Sequence, residues 1–338
     1  MKKTLCLLLC FSLLCLPFFS GAAAPEGKPT LVSTDLRISS DFSVGFVVEV
    51  PAGTVRAGVY VEGTDYRAAR RDDGRYEVVY TGIAPDKLTR EFSVVPYCVF
   101  GGVVHRGSTY YFSVRDYAMR MILREDTSDD VREILVAALN FGAAAQRYLS
   151  YRKQNPANSY LTAELRRVPV REYRSVLTNT PGEVRLPAEI SSASMVVKDA
   201  AAFKFYVAIA GQENLRENGG AGIPEFSDYT PKREADLFSA PYLLEIADNP
   251  AFSESRTYPL QKLADSPGYL VVTEGVHAAD YSTTFYVRLQ SAEGTGDVWQ
   301  YSVESYAARN LSQMNAEGRE MVCAMMALGD ALRKQNFS

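Results

Sequence analysis

Two nine-residue strings constrain this chain more than any other feature: FSVRDYAMR, from Phe112, and YSVESYAAR, from Tyr301. Each stands where alternating apolar residues give way to helical spacing. Alternation marks a strand, and apolar residues at i, i+3, i+4 and i+7 mark one face of a helix. Val114, Tyr117, Ala118, Met121 and Ile122 follow the helical rule. Ser113 and Ser302 sit where a helix start needs a hydroxyl to cap its free N–H groups. Each string reads as a strand-to-helix joint, and one corner specified twice points to an internal duplication.

The correspondence extends along both halves. YLVVTEGVHAADYSTTFYVRLQ, from Tyr269, lines up with YEVVYTGIAPDKLTREFSVVPY, from Tyr76, placing Gly275 on Gly82. REMVCAMMALGDALRKQ, from Arg319, lines up with REILVAALNFGAAAQRY, from Arg132, placing Gly329 on Gly142. The period is too long for a solenoid. In the first half, Phe42–Val50, Val55–Glu62, Tyr76–Gly82, Arg90–Phe100 and Ser108–Val114 read as strands. Asp73-Gly74 marks a hairpin turn, because that turn needs residues tolerant of positive φ. A second helix is expected from about Val131 to Arg152, with Ser128 or Thr127 as cap. Its Ala and Gly positions suit close packing. In the second half, Ser192–Ala210 supplies two strands.

These patterns predict an α+β fold of two tandem modules. Each would be an antiparallel, β-sandwich-like sheet of about five or six strands with a C-terminal helical hairpin. The expected boundaries are a signal peptide over 1–24, a first module over 25–167, a linker over 168–185, and a second copy over 186–338. The second copy carries a long insertion at about 211–261, rich in Gly, Pro and charge.

The N-terminus has the three parts of an export signal: Lys2 and Lys3, an apolar run from Leu7 to Phe19, and small residues at Ser20–Ala24. Cleavage is expected near Ala23 or Ala24, and no later apolar run has membrane length. The expected location is secreted or cell-surface. Three of the five cysteines fall in the signal, leaving Cys98 and Cys323, each in an apolar run and read as separate buried thiols. A net charge of −4, without clustered Lys and Arg, gives no reason to expect a nucleic-acid partner.

The sequence carries few candidates for chemistry. His105 and His277 are the only histidines and have no partner at metal-ligand spacing, so no metal and no cofactor is expected. No G-x-S-x-G elbow is present. Asp72 with Asp73, and Asp129 with Asp130, have turn and capping roles. Trp299, whose counterpart is Tyr110, is expected in the core. Tyr229 and Tyr242, in or beside the insertion, are the candidate ligand-binding aromatics.

The strings YYFSVRDYAMRMIL and LVAALNFGAAAQRYLSYRKQNPANSYL resemble those of a class of exported proteins of gut Firmicutes. That class carries a Y-S-V-R-D-Y-A joint and an L-L-N-Y-G-A-A-A-Q helix. The resemblance implies an extracellular or cell-surface location and brings no catalytic residues. In the second copy Glu304 and Ser305 replace Arg115 and Asp116, confining any role of that pair to the first. The functional expectation is a non-enzymatic interaction module that binds glycan, cell wall or protein. A secreted hydrolase of polysaccharide or peptide and an architectural spacer are the alternatives.

Overall fold

The computed structural model describes residues 28–39, 41–175, 178–197, 201–209, 242–263 and 268–336. The expected signal peptide lies outside them. The chain divides into two compact units between Val168 and Pro169.

The first unit begins with β1 (Thr30–Ile38), β2 (Phe42–Glu49), β3 (Arg56–Val61), β4 (Thr64–Arg67), β5 (Ala69–Arg70) and β6 (Tyr76–Ile83). A 3-10 turn (Pro85–Lys87) leads to β7 (Phe92–Phe100), β8 (Val103–Arg106), β9 (Tyr110–Phe112), α1 (Val114–Ile122) and α2 (Asp129–Tyr148). The strands form two antiparallel sheets, one ordered β1-β2-β6-β5 and the other β4-β3-β7-β8, with β9 also pairing β7. Phe46 of β2 meets Phe92 and Phe112 of the second sheet edge-on, at 6.5 and 5.9 Å between ring centroids. Val44, Val59 and Val94 complete the buried layer between them.

The second unit holds β10 (Asn179–Thr180), β11 (Ala188–Val197), β12 (Ala201–Ile209), β13 (Leu243–Ala247), β14 (Arg256–Pro259), β15 (Gln261–Lys262) and β16 (Tyr269–Gly275). After a second 3-10 turn (Ala278–Asp280) come β17 (Phe285–Ser291), β18 (Gly294–Thr295), β19 (Val298–Tyr301), α3 (Val303–Asn310) and α4 (Ala316–Asn336). Its sheets run β11-β12-β16-β15 and β10-β19-β17-β13-β14, with β18 on β17. Phe203 and Phe205 of β12 pack on Tyr301 of β19.

The expected α+β fold of two tandem modules, each an antiparallel β-sandwich-like sheet ending in a helical hairpin, is therefore corrected. The described chain is mostly β, with four sheets and four α-helices. Strand count is one reason. β1 carries Ser33, Thr34 and Asp35 in its middle, all buried, and this polar interruption hides it from an alternation rule. β4, β5 and β8 are too short to show a period. The helices are the other reason. α2 and α4 lie chiefly against the 3-10 turns, and α3 touches α4 at only a few positions.

Glycine explains that packing. A Cβ on Gly142 would stand 2.6 Å from Leu88 Cδ1, and one on Gly329 would stand 2.7 Å from the Ala278 carbonyl oxygen. The same turns are tied to the first helical residues. Arg115 N donates to Leu88 O, and Glu304 N donates to Tyr281 O, both at 2.9 Å. Ser113 and Ser302 cap α1 and α3, accepting from Asp116 N at 3.1 Å and Ser305 N at 2.9 Å. Ser128 caps α2, while the Thr127 hydroxyl donates to Met121 O instead.

Segments expected to be loops also belong to the units. Residues of the expected 168–185 linker supply β10, and Arg171 there donates to Asp330 at 2.8 Å and pairs with Glu304. The later part of the expected insertion forms β13, β14 and β15. Trp299 and Tyr110 stand opposite the core residues Val287 and Val94, yet both are half-buried at the margin rather than inside.

Candidate functional site: a cationic, aromatic sheet face

Tyr229 lies outside the described residues. Tyr242 is half-buried just before β13, so the two are not brought together as a site. His105 is half-buried on β8 with the Phe100 ring 6.2 Å away, and His277 is exposed beside the second 3-10 turn. Cys98 and Cys323 are free, buried thiols, and burial pushes the Cys98 pKa up, away from a reactive thiolate. Among the described residues no group of three or more His, Cys, Asp or Glu is placed to hold a metal ion. No described helix is long and apolar enough to cross a membrane.

A cleft of about 660 Å³ in the second unit is lined by Arg171, Glu172, Arg174, Glu304, Asp330 and neighbouring helix residues. Its charges are largely engaged with one another. Arg171 bridges Glu304 and Asp330, and Arg333 reaches Asp330 at 3.0 Å. Burial works against the Arg171 charge, but the hydrogen bonds it donates to Asp330 and Glu304 outweigh it and raise its pKa. This is how the segment before β10 is fastened to α3 and α4.

The first unit offers a different surface. Along β3, Ala57, Val59 and Val61 are buried in the core, so Arg56, Gly58 and Tyr60 face outward. Register then decides what stands beside them. Gly58 lies opposite Arg67 of β4 and Tyr97 of β7, and Tyr97 lies opposite Arg106 of β8. Directly opposed residues share a face. Arg67, Gly58, Tyr97 and Arg106 thus form a row across four strands, with Arg56 and Tyr60 on either side along β3.

Within the row, Tyr97 fills the space Gly58 leaves. A Cβ on Gly58 would come within 2.7 Å of the Tyr97 ring. The ring has no exposed surface although it sits on the outer side of the sheet. Tyr60 stacks on it at 4.8 Å, tilted by 36°. The Arg106 guanidinium lies 4.7 Å from the Tyr60 ring centroid, and that of Arg56 lies 5.5 Å from Tyr97. A cation over an aromatic face is attracted by the ring's quadrupole. Arg56 also pairs with Asp65 at 3.4 Å. The Tyr97 hydroxyl is buried near Asp65 and Arg56 without hydrogen-bond geometry to either. Burial first, and Asp65 second, push its pKa up to about 12.

Arg67 and Arg106 are exposed and form no ion pair among the described residues. The face thus sets three guanidiniums against one carboxylate, on a chain whose net charge is −4. In the second unit, β13 and β17 instead carry Glu245, only 6% exposed, paired with Arg288 at 2.7 Å. Phe252 covers that arginine at 3.9 Å. That pair is satisfied and closed; the face of the first unit is open.

No family model and no curated protein matches the chain.

Proposed function

We propose that the protein is an exported, non-enzymatic interaction module that binds a glycan, cell-wall or surface-protein partner on the outer face of its β4-β3-β7-β8 sheet. One observation carries this reading: Arg67 and Arg106 present unpaired guanidiniums around a rigid, ring-stacked centre. Side chains already held in place lose little freedom on binding. The leader-like N-terminus supports export, and so does the resemblance to exported proteins of gut Firmicutes. The paired contacts at Gly142 and Gly329 support an internal duplication. In that light the open face is one feature on which the two halves differ.

The test is to incubate residues 25–338 with plant, mucin and bacterial cell-wall glycans and surface proteins, scoring both retention and released product. Retention without product is expected, and it should weaken in the Arg67→Gln, Arg106→Gln double variant. Released product would replace this reading with that of a secreted hydrolase.

A further inference from the structure

Resting on that reading of the face, we infer that the ligand is an anionic polysaccharide, carrying carboxylate or sulfate groups engaged by Arg56, Arg67 and Arg106. The guanidinium is a planar fork that matches a carboxylate or sulfate with two parallel N–H donors. Arg106 lies over Tyr60 and forms no ion pair among the described residues, which leaves its N–H donors for a ligand. Arg67 is exposed and free of carboxylates. Strands are spaced about 4.8 Å apart, so the backbones of Arg67 and Arg106, separated by β3 and β7, stand roughly 14 Å apart, and Arg106 leans back over Tyr60 of β3. A polymer with anionic groups along its length can engage Arg56, Arg67 and Arg106 together, and linked contacts raise one another's effective concentration.

Two features set a polysaccharide above a protein partner. A protein interface has an apolar, often aromatic, centre that is exposed before binding. Here the central ring, Tyr97, is already covered by its own neighbours. Neutral sugars bind by laying a ring on an exposed aromatic face. Tyr60 is half-buried with both Tyr97 and Arg106 against its ring, which leaves little face for a sugar, and charge remains. The protein's overall negative charge supplies no long-range attraction, so recognition is local and screened by salt.

Dextran, carboxymethyl-dextran and dextran sulfate of matched length separate charge from backbone, and poly-glutamate separates sugar from charge. Titrated against the full chain, at least one anionic dextran should bind, neutral dextran should not, and poly-glutamate should bind more weakly. Arg67→Gln should weaken binding about five-fold and the double variant Arg67→Gln, Arg106→Gln at least about ten-fold, as expected for exposed charge contacts. Arg67 lies off the stacked rings, so its variant keeps the thermal unfolding midpoint of the parent. Arg319→Gln, the same change of charge as Arg67→Gln at an exposed position of α4, should bind like the parent.

The ways of failing are distinct. Binding of neutral dextran equal to that of its anionic forms, but still lost in the double variant, would overturn the anionic chemistry and leave the face standing. Tighter binding of poly-glutamate would overturn the polysaccharide. Anionic binding unchanged in the double variant would overturn the face itself, and no binding of any probe would overturn both.

Discussion

Gly58 has no side chain, and that gap seats Tyr97 on the outer side of its sheet, where a tyrosine would ordinarily meet water. The consequence is measurable in pH. A hydroxyl buried beside a carboxylate gives up its proton later than in the unfolded chain, where tyrosine titrates near about 10. The neutral form therefore contributes stability up to that pH, and the contribution is lost as the pH rises through about 12. Spectrophotometric titration should show one fewer late-titrating tyrosine in Tyr97→Phe, and that variant should lose less stability between those two values. An unchanged late fraction would place the Tyr97 hydroxyl in water. Part of this was legible in the sequence. Arg56, Gly58 and Tyr60 alternate with Ala57, Val59 and Val61, so their common face follows from period two. Their neighbours do not follow. Arg67 and Arg106 lie on strands of four residues, and only register reveals that both flank Tyr97.

At the scale of elements, the helices show which local signals survive tertiary context. Hydroxyl caps were readable because they act within one turn of chain, and the structure places them at Ser113, Ser128 and Ser302. The packing partner was not readable. The small-residue face of α2 suits close approach to any neighbour, and that neighbour is the 3-10 turn. Alanine normally improves a helix over glycine by about 1 kcal/mol. Gly142→Ala and Gly329→Ala should do the opposite, each lowering stability by about 1–3 kcal/mol through overpacking. Gly329→Ala should cost more. Its new Cβ would meet a backbone oxygen, whereas at Gly142 the nearest atom ends the Leu88 side chain. Denaturant unfolding measures both, and stabilisation by either would remove the close approach. The missed polar signals lie on the same helix. Gln146 accepts from Ala157 N at 2.7 Å and donates to Thr89 Oγ1 at 3.0 Å, and Asn140 donates to Leu165 O at 2.8 Å. Polar residues on an apolar helix face were the available hint, because buried polar groups must find partners.

For the whole molecule, these bonds define where a unit ends. The segment after α2 belongs to the first unit. Asn155 and Tyr160 cover Arg115, and Asn158 bonds Asn140 at 2.8 Å. Residues 28–168 should therefore unfold cooperatively as an isolated piece. Ending the chain at 149 leaves Asn140 without Leu165 and Asn158 and the Gln146 amide oxygen without Ala157 N, and each such buried group costs about 1–3 kcal/mol. Thermal unfolding of the two pieces separates the cases, and equal midpoints would deny the segment its structural part. In the sequence, patterned strands and helices stop near this boundary. The pattern could not show that the residues on either side are fastened, since that depends on contacts far apart in the chain.

The central claim is that the ligand is held on the open face of the first unit. The most direct measurement is the nuclear magnetic resonance spectrum of the arginine Nε–Hε groups in the full chain, with and without dextran sulfate. The account predicts shifts concentrated at Arg56, Arg67 and Arg106, with Arg171, Arg288 and Arg333, which pair within the second unit, unmoved. Shifts concentrated at Arg171 and Arg333 would contradict it and move the binding surface to the second unit.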